Sequence, residues 1–570
     1  MDWVFGIITT IGAIATFWFG LRPKIKKWLK RRKEKQVSYP STAVSPTGSI
    51  EVEAVVKGKA EPFIYEDGLP DTTDIKIRNL FETGKSLSQK YKYVEAREAY
   101  QSCLSLKNVS LTQRTALLML IGNTFYSQSQ WKLALDMYQE ALKIAKKADD
   151  LQGKATALGN LGLVYYQKSE WDQAIEYFKR SLKIFKDIGD RKNEGVTLNN
   201  IGGIYDSWGK SDQAIEYYKK SLKITEEVGD RKGEGVTLNN IGEIYRVWGK
   251  YDQAIEYYKK SLKIREEVGD RQGEGVTLNN IGIVHDIWGK HNQAIEYYRK
   301  SLKIFEDIGD RKKEGVTLNN IGEIYRAWGE YNQAIEYYKK SLKIFEDIRD
   351  RKSEGVTLNN VASVCYAWGK YDQAIEYYKR SLKITEEVGD RQGEGVTLNN
   401  IGEIYRVWGK YDQAIEYYEK SLKITEEVGD RQVEGVTLNN IGMIYDAWGK
   451  YDQAIEYYQK SLKIAQEIAD RKQEGTTLNN IGMIYYAWRK YDQAIEYYKK
   501  SLQIIEEVGD RKGEGLTLNN IGMIYKAWGK YDQAIEYYKK SLKILEEIGA
   551  VEAKKVRENL ERAQEEMKKR

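Results

Sequence analysis

Apolar residues return along this chain in steps of three and four, and the whole pattern returns every 40 residues. In residues 230–268, Leu238, Ile241, Tyr245 and Trp248 fall on one face of a predicted helix. Gly249 stops that helix. Asp252 stands in the first turn of a second, where the helix dipole favours an acid. Ala254, Ile255, Tyr258, Ser261, Leu262 and Val268 form the second apolar stripe. Gly229 reads as the left-handed cap of the preceding helix and Asp230 as the N-cap of the next. Gly242 lies beside the apolar face and admits a close neighbour. Such a helix pair has more apolar face than it can bury alone, so copies must stack.

The segment Gly235-Val-Thr-Leu-Asn-Asn-Ile-Gly242 recurs with little change at Gly275, Gly315, Gly355, Gly395 and Gly435, with close copies at Gly195, Gly475 and Gly515. A period in this range predicts a solenoid and not a globular enzyme core. Two worn repeats precede the clear ones. Gly122, Trp131, Ala134, Tyr138 and Ala141 keep the frame, as do Gly84, Tyr93, Ala96, Tyr100 and Cys103. Twelve helix pairs result. Beyond them Val556, Leu560, Ala563 and Met567 share one face of a final helix, which can cap the last apolar surface. No proline lies beyond residue 70, as unbroken helices require.

Ile241, Gly242, Tyr245, Ala254, Tyr258 and Ser261 match the signature of the tetratricopeptide repeat, which the chain resembles over about residues 74–552. The closing proline of the 34-residue form is absent, with Glu266 in its place. The 40-residue period and the Gly-Asp-Arg-x-Gly-Glu-Gly junction are similar to the long-helix subclass of kinesin light chain and the Leu-Gly-Asn repeat protein. The resemblance implies an all-α fold, a right-handed α-solenoid of about twelve helix-turn-helix repeats, whose first helices line a concave groove for a protein or peptide partner.

Trp3 to Leu21 carries no charge over nineteen residues, about the length of a membrane-spanning helix, with aromatic residues at both ends. Basic residues follow from Arg22 to Lys35. The expected division is a transmembrane anchor at 1–21, a basic juxtamembrane segment at 22–36, a flexible linker at 37–73, the array at 74–552 and a capping helix at 553–570. The positive-inside rule then predicts a single-pass membrane protein, N-terminus out, with the array in the cytoplasm. The basic residues 22–35 are also expected to touch anionic headgroups.

Charge bears on the partner. Residues 1–36 hold nine basic and two acidic side chains, a sum of +7, and the whole chain is +7. The remainder is neutral, which argues against a nucleic-acid partner. Cys103 and Cys365 form no metal-spaced cluster, and the two histidines, His285 and His291, stand where other repeats carry Tyr. No catalytic constellation, cofactor motif or metal site is expected, so the chain reads as a non-enzyme.

Comparing the repeats with one another singles out three sets of residues. An Asn stands two before the Gly at Asn160, Asn200, Asn240, Asn280, Asn320, Asn360, Asn400, Asn440, Asn480 and Asn520. The resemblance implies that this amide bonds a ligand backbone, since it can donate and accept at once. Two first-helix positions vary most: Glu243 with Arg246, Asp286, Glu323 with Arg326, Tyr366, Glu403 with Arg406, then Met443 with Asp446, Met483 with Tyr486, and Met523 with Lys526. A three-residue step keeps both on one face. The charged middle section is expected to select by charge and the Met stripe to hold apolar side chains. Each set also has a plainer account: the Asn side chains bond only neighbouring repeats, the Glu–Arg pairs are helix-surface pairs, and the Met residues are core. The leading functional expectation is a membrane-anchored, cytoplasmic-facing scaffold for protein partners. The alternative is a signalling adaptor whose array switches a separate effector.

Overall fold

Helix follows helix through the computed structural model, which describes residues 62, 63, 65, 74–90 and 92–569. Twelve antiparallel pairs run from Ile75–Gln89 with Tyr93–Leu104 to Arg511–Ala527 with Tyr531–Glu547, followed by a last helix, Ala553–Lys568. Most members of a pair are 17 residues long, and three-residue turns join them. The chain forms two compact units, one ending at Thr357 and the other beginning at Leu358. Within each, every first helix packs on its own partner, and the partner packs on the following first helix.

The pair Arg231–Val247 and Tyr251–Glu267 shows why this sequence folds so. Asp230 caps the first helix by accepting from the Gly233 amide at 3.1 Å. Gly249 closes it with φ +69°, a region that costs a side-chain-bearing residue energy. Gly242 lets the Tyr258 ring lie directly on the helix backbone: a Cβ there would stand 2.9 Å from Cδ1. Tyr258 is fully buried, as are Ala254 and Ile241. Ser261 Oγ donates to the Gly235 carbonyl at 2.7 Å, tying the two helices one turn further on. The same serine bond recurs at Ser221, Ser301, Ser341, Ser421, Ser501 and Ser541.

The membrane part of the expectation is corrected. Among the described residues no helix is long and apolar enough to cross a membrane. The longest helices are amphipathic: Ser211–Val228 carries Asp212, Glu216, Lys219, Lys220, Lys223, Glu226 and Glu227 on its outer face. The architecture described is thus a solenoid with no transmembrane helix, and the single-pass, cytoplasmic-facing assignment is withdrawn with it. The stretch at 1–21 on which it was read, and the basic residues 22–35, lie outside the described residues. From the stretch read as a linker, Phe63 and Tyr65 are described, and both are buried.

The glycine–tyrosine contact is the point at which one carbon breaks a repeat. A Cβ at Gly322 would meet Tyr338 Cε1 at 2.8 Å. Gly322→Ala is expected to cost about 1–3 kcal/mol through overpacking, read as a lower thermal midpoint by circular dichroism. An unchanged midpoint would mean that the ring has room to move.

Candidate functional site

Of the Asn residues expected to face a ligand, all but Asn320 and Asn360 are buried, and most of them bond a neighbouring repeat. From Asn199-Asn200 onward each repeat carries an Asn-Asn doublet, and at Asn240, Asn280, Asn320, Asn400, Asn440, Asn480 and Asn520 the second Asn reaches back to the first Asn of the preceding repeat. Asn240 Nδ2 donates to Asn199 Oδ1 at 3.1 Å, Asn280 to Asn239 at 3.2 Å and Asn320 to Asn279 at 3.1 Å. In the second unit Asn400 donates to Asn359, Asn440 to Asn399, Asn480 to Asn439 and Asn520 to Asn479, at 3.0–3.5 Å. Asn360 is half-buried. The same acceptors also take the hydroxyls of Thr237, Thr277, Thr317 and Thr437. The first Asn of the doublet and the Thr two before it escaped the sequence reading. Their signal was present as the invariant Thr-Leu-Asn-Asn run.

This amide ladder uses only half of the second Asn. Its Nδ2 is engaged, yet Oδ1 of Asn280, Asn440 and Asn520 is buried with no hydrogen-bond partner among the described residues. A buried carbonyl without a donor costs roughly 1–3 kcal/mol, so these oxygens are acceptors in waiting. At Asn160 the same atom is occupied. Its Oδ1 accepts from the Phe63 amide at 2.7 Å and its Nδ2 donates to the Phe63 carbonyl at 3.1 Å. Asn200 differs in the opposite sense: its Nδ2 lacks a partner, because Gly159 stands where the doublet's first Asn would be.

The variable first-helix positions are tied down as well. Glu243 accepts from Arg246 Nε at 2.9 Å and from the Tyr258 hydroxyl of its pair's second helix at 2.8 Å. Glu323 with Arg326 and Tyr338, and Glu403 with Arg406 and Tyr418, repeat the arrangement. Burial, then the adjacent carboxylate, holds the three tyrosine hydroxyls well above the ordinary phenol range. Burial works against the charge of Arg326 and Arg406, but their Glu partners outweigh it and both guanidinium pKa values rise. Tyr366 donates to Glu403 of the next repeat at 3.3 Å. Asp286 meets His291 Nδ1 at 2.9 Å, and burial nevertheless raises its pKa. Lys526 pairs with Glu566 of the last helix at 3.0 Å.

The methionines divide. Met443 is buried in a cluster with Ala454, Tyr458, Ile481 and Ile484. Met483 and Met523 are half-buried beside the final cluster, with Tyr486. Asp446 is buried. Among the described residues no group of His, Cys, Asp and Glu could hold a metal ion.

Six matches to the family model of the tetratricopeptide repeat cover residues 113–187, 153–227, 234–307, 313–387, 393–467 and 473–547. The chain belongs to the tetratricopeptide repeat family, a family of protein-interaction repeats. The model matched is that of the repeat in general and does not single out the kinesin-light-chain subclass. No curated protein matches the chain. Among solved structures, BtubC (BKLC) from P. vanneervenii is 22% identical over 40% of this chain and 92% of its own, with TM-score 0.35. Aspartyl phosphate phosphatase F from Bacillus subtilis is 15% identical over 62% of this chain and 94% of its own, with TM-score 0.42. A signal-transduction ATPase with a tetratricopeptide repeat sensor from Pyrococcus horikoshii is 15% identical over 70% of this chain and 66% of its own, with TM-score 0.45.

Two measurements separate core from surface here. Met443→Ser is expected to cost about 3 kcal/mol of stability, and the half-buried Met483→Ser and Met523→Ser clearly less; equal costs would place all three in one environment. The second concerns His285, which is buried and stacked on Tyr297 at 5.4 Å. Burial, then Lys290 and Lys259, lowers its pKa below the ordinary 6.5. As pH falls through that value the unfolded chain takes up a proton that the folded chain refuses. This contribution to stability is therefore complete above 6.5 and is lost as pH falls toward the folded pKa. His285→Tyr, the residue of other repeats, should lose less of its melting temperature than the parent between pH of about 7.5 and 5.5. Parallel losses in the two proteins would remove His285 as a cause.

Proposed function

We propose that this chain is a scaffold that binds extended segments of protein partners along the first-helix face of its repeats, and that binding, not catalysis, is its work. One observation carries the reading. Among the described residues Asn280, Asn440 and Asn520 each hold a buried Oδ1 without a donor, and the equivalent oxygen of Asn160 accepts the backbone N–H of Phe63, 97 residues away in the chain. A peptide laid along the face supplies that donor wherever it crosses one of these oxygens, whatever its side chains. The ladder supports this by fixing the orientation of each amide: Nδ2 is already committed to the preceding repeat, so Oδ1 is the atom left to a partner. Side-chain choice then falls to the residues one and two turns on, the Glu–Arg pairs in one stretch and Met483, Tyr486 and Met523 in another. Preformed acceptors require no reorganisation on binding, which favours affinity.

A phage-displayed library of random peptides, selected on the full chain, is expected to yield binders whose affinity depends on these carbonyls. Replacing Asn280, Asn440 and Asn520 with Ala should weaken such a peptide roughly five-fold for each site it crosses, the equivalent of about 1 kcal/mol per hydrogen bond. Ala at Asn239, Asn399 and Asn479 cuts the same ladder bonds from the other side and spares the carbonyls. That control should melt lower and still bind. Equal binding by both triple variants, or a library that yields no binder, would sink the reading.

A further inference from the structure

The third helix pair, Leu151–Gln167 with Trp171–Asp187, differs from every other pair at two positions that touch one object. Gly159 replaces the first Asn of the doublet, which is Asn at 199, 239, 279, 319, 359, 399, 439, 479 and 519. Phe178 replaces a tyrosine that is otherwise invariant from Tyr100 to Tyr538. Both face the ring of Phe63. A Cβ at Gly159 would already stand 2.7 Å from Phe63 Cε2, so an Asn side chain there and the ring exclude each other. Phe178 lies 6.3 Å from the ring, and Phe185 stacks on it at 6.0 Å. Losing the tyrosine hydroxyl spares a polar group that this apolar pocket could not satisfy.

The backbone is read as closely as the ring. Asn160 takes both the amide and the carbonyl of Phe63. It is free to do so because Met119 stands where the preceding repeat would offer the ladder's acceptor. Two residues on, the Tyr65 hydroxyl donates at 2.7 Å to Oδ2 of Asp150, whose other oxygen caps the Leu151–Gln167 helix. Phe63 and Tyr65 are 4% and 3% exposed, values of core residues although the first described helix begins at Ile75.

We propose that the third helix pair is a docking site for an extended segment with aromatic side chains two residues apart, filled in this protein by its own Phe63 and Tyr65. The ring pocket supplies specificity, Asn160 supplies a backbone clamp, and Asp150 reads a phenol. The tethered segment competes with any peptide of the same kind supplied from outside, at the high effective concentration that a short connection gives. The site stands whether or not the later Asn carbonyls bind a partner, because its pocket depends on residues found in this pair alone.

The probe is a fluorescent synthetic peptide with the sequence of residues 58–68, titrated by anisotropy against the full chain. The chain carrying Phe63→Ala and Tyr65→Ala should bind it at least ten-fold more tightly than the parent chain. Adding Asn160→Ala, or placing Phe63→Ala in the peptide, should remove that gain. No gain in the emptied chain, or a gain that survives Asn160→Ala, would overturn the proposal. Should the emptied chain fail to fold, hydrogen exchange of the Phe63 amide decides the matter in single variants. Asn160→Ala should speed that exchange at least ten-fold and Asn200→Ala, one repeat on, should leave it unchanged. Protection that persists in Asn160→Ala would refute the clamp.

Discussion

Everything in this molecule depends on a ring laid against a missing side chain. Tyr258 on Gly242 fixes how closely two helices of a pair approach, and the contact recurs from Gly84 with Tyr100 to Gly522 with Tyr538, with Phe178 in place of the tyrosine on Gly162 and Ala362 in place of one glycine. Apolar burial drives the pairing without direction. The glycine gives it a register, because it lets a bulky ring reach the helix backbone. The Ser261 hydroxyl on the Gly235 carbonyl, one turn away, then excludes rotation about the contact. With the pair geometry set, the spacing of first helices from repeat to repeat follows, and with it the Asn-to-Asn bonds that join them.

Those bonds explain why a polar doublet sits at the heart of so regular an array. A ladder of apolar residues would hold the repeats together equally well, since replacing a satisfied hydrogen-bonding pair with apolar groups of the same shape is close to neutral. Amides impose direction instead. Within the ladder the second Asn spends its Nδ2 on the preceding repeat, and at Asn280, Asn440 and Asn520 its Oδ1 is left without a donor among the described residues. Where the ladder is interrupted, at Gly159 and Met119, the orphaned groups mark the break: Asn160 turns to Phe63 and Asn200 keeps an unpaired Nδ2.

The helical pairs, their caps and their apolar faces were legible in the sequence because each rests on local chemistry repeated at a fixed interval. Gly249, Asp230 and Tyr258 announce their roles within a few residues of chain. The membrane reading rested on length, aromatic ends and flanking charge over residues 3–35, which lie outside the described residues, and no described helix is long and apolar enough to cross a membrane. The candidate site was legible only as a set of positions. The second Asn was singled out for its recurrence, but its partner in the preceding repeat lies 41 residues away, and no local pattern states such a distance. Gly159 and Phe178 carried a readable signal, being departures at otherwise fixed positions. What they accommodate is Phe63, 97 residues from Asn160 in the chain, and only the folded structure brings those together.

The same logic revises how charge acts along the first-helix face. The sequence leaves two accounts of Arg246, Arg326 and Arg406 open, as charges that select a partner or as members of helix-surface pairs. In the structure each guanidinium is held by the Glu three residues before it, and that Glu is held in turn by a buried tyrosine hydroxyl. The pair is close to neutral when seen from outside, and its members are too short of water to separate cheaply. A partner therefore meets a rigid dipole with both ends already bonded. Breaking it to form a new ion pair would leave a half-buried carboxylate alone, a cost of several kcal/mol. Under the proposed function, selection at these repeats rests on shape and on hydrogen bonds added at the rim of an intact pair. Long-range attraction between opposite charges contributes little there.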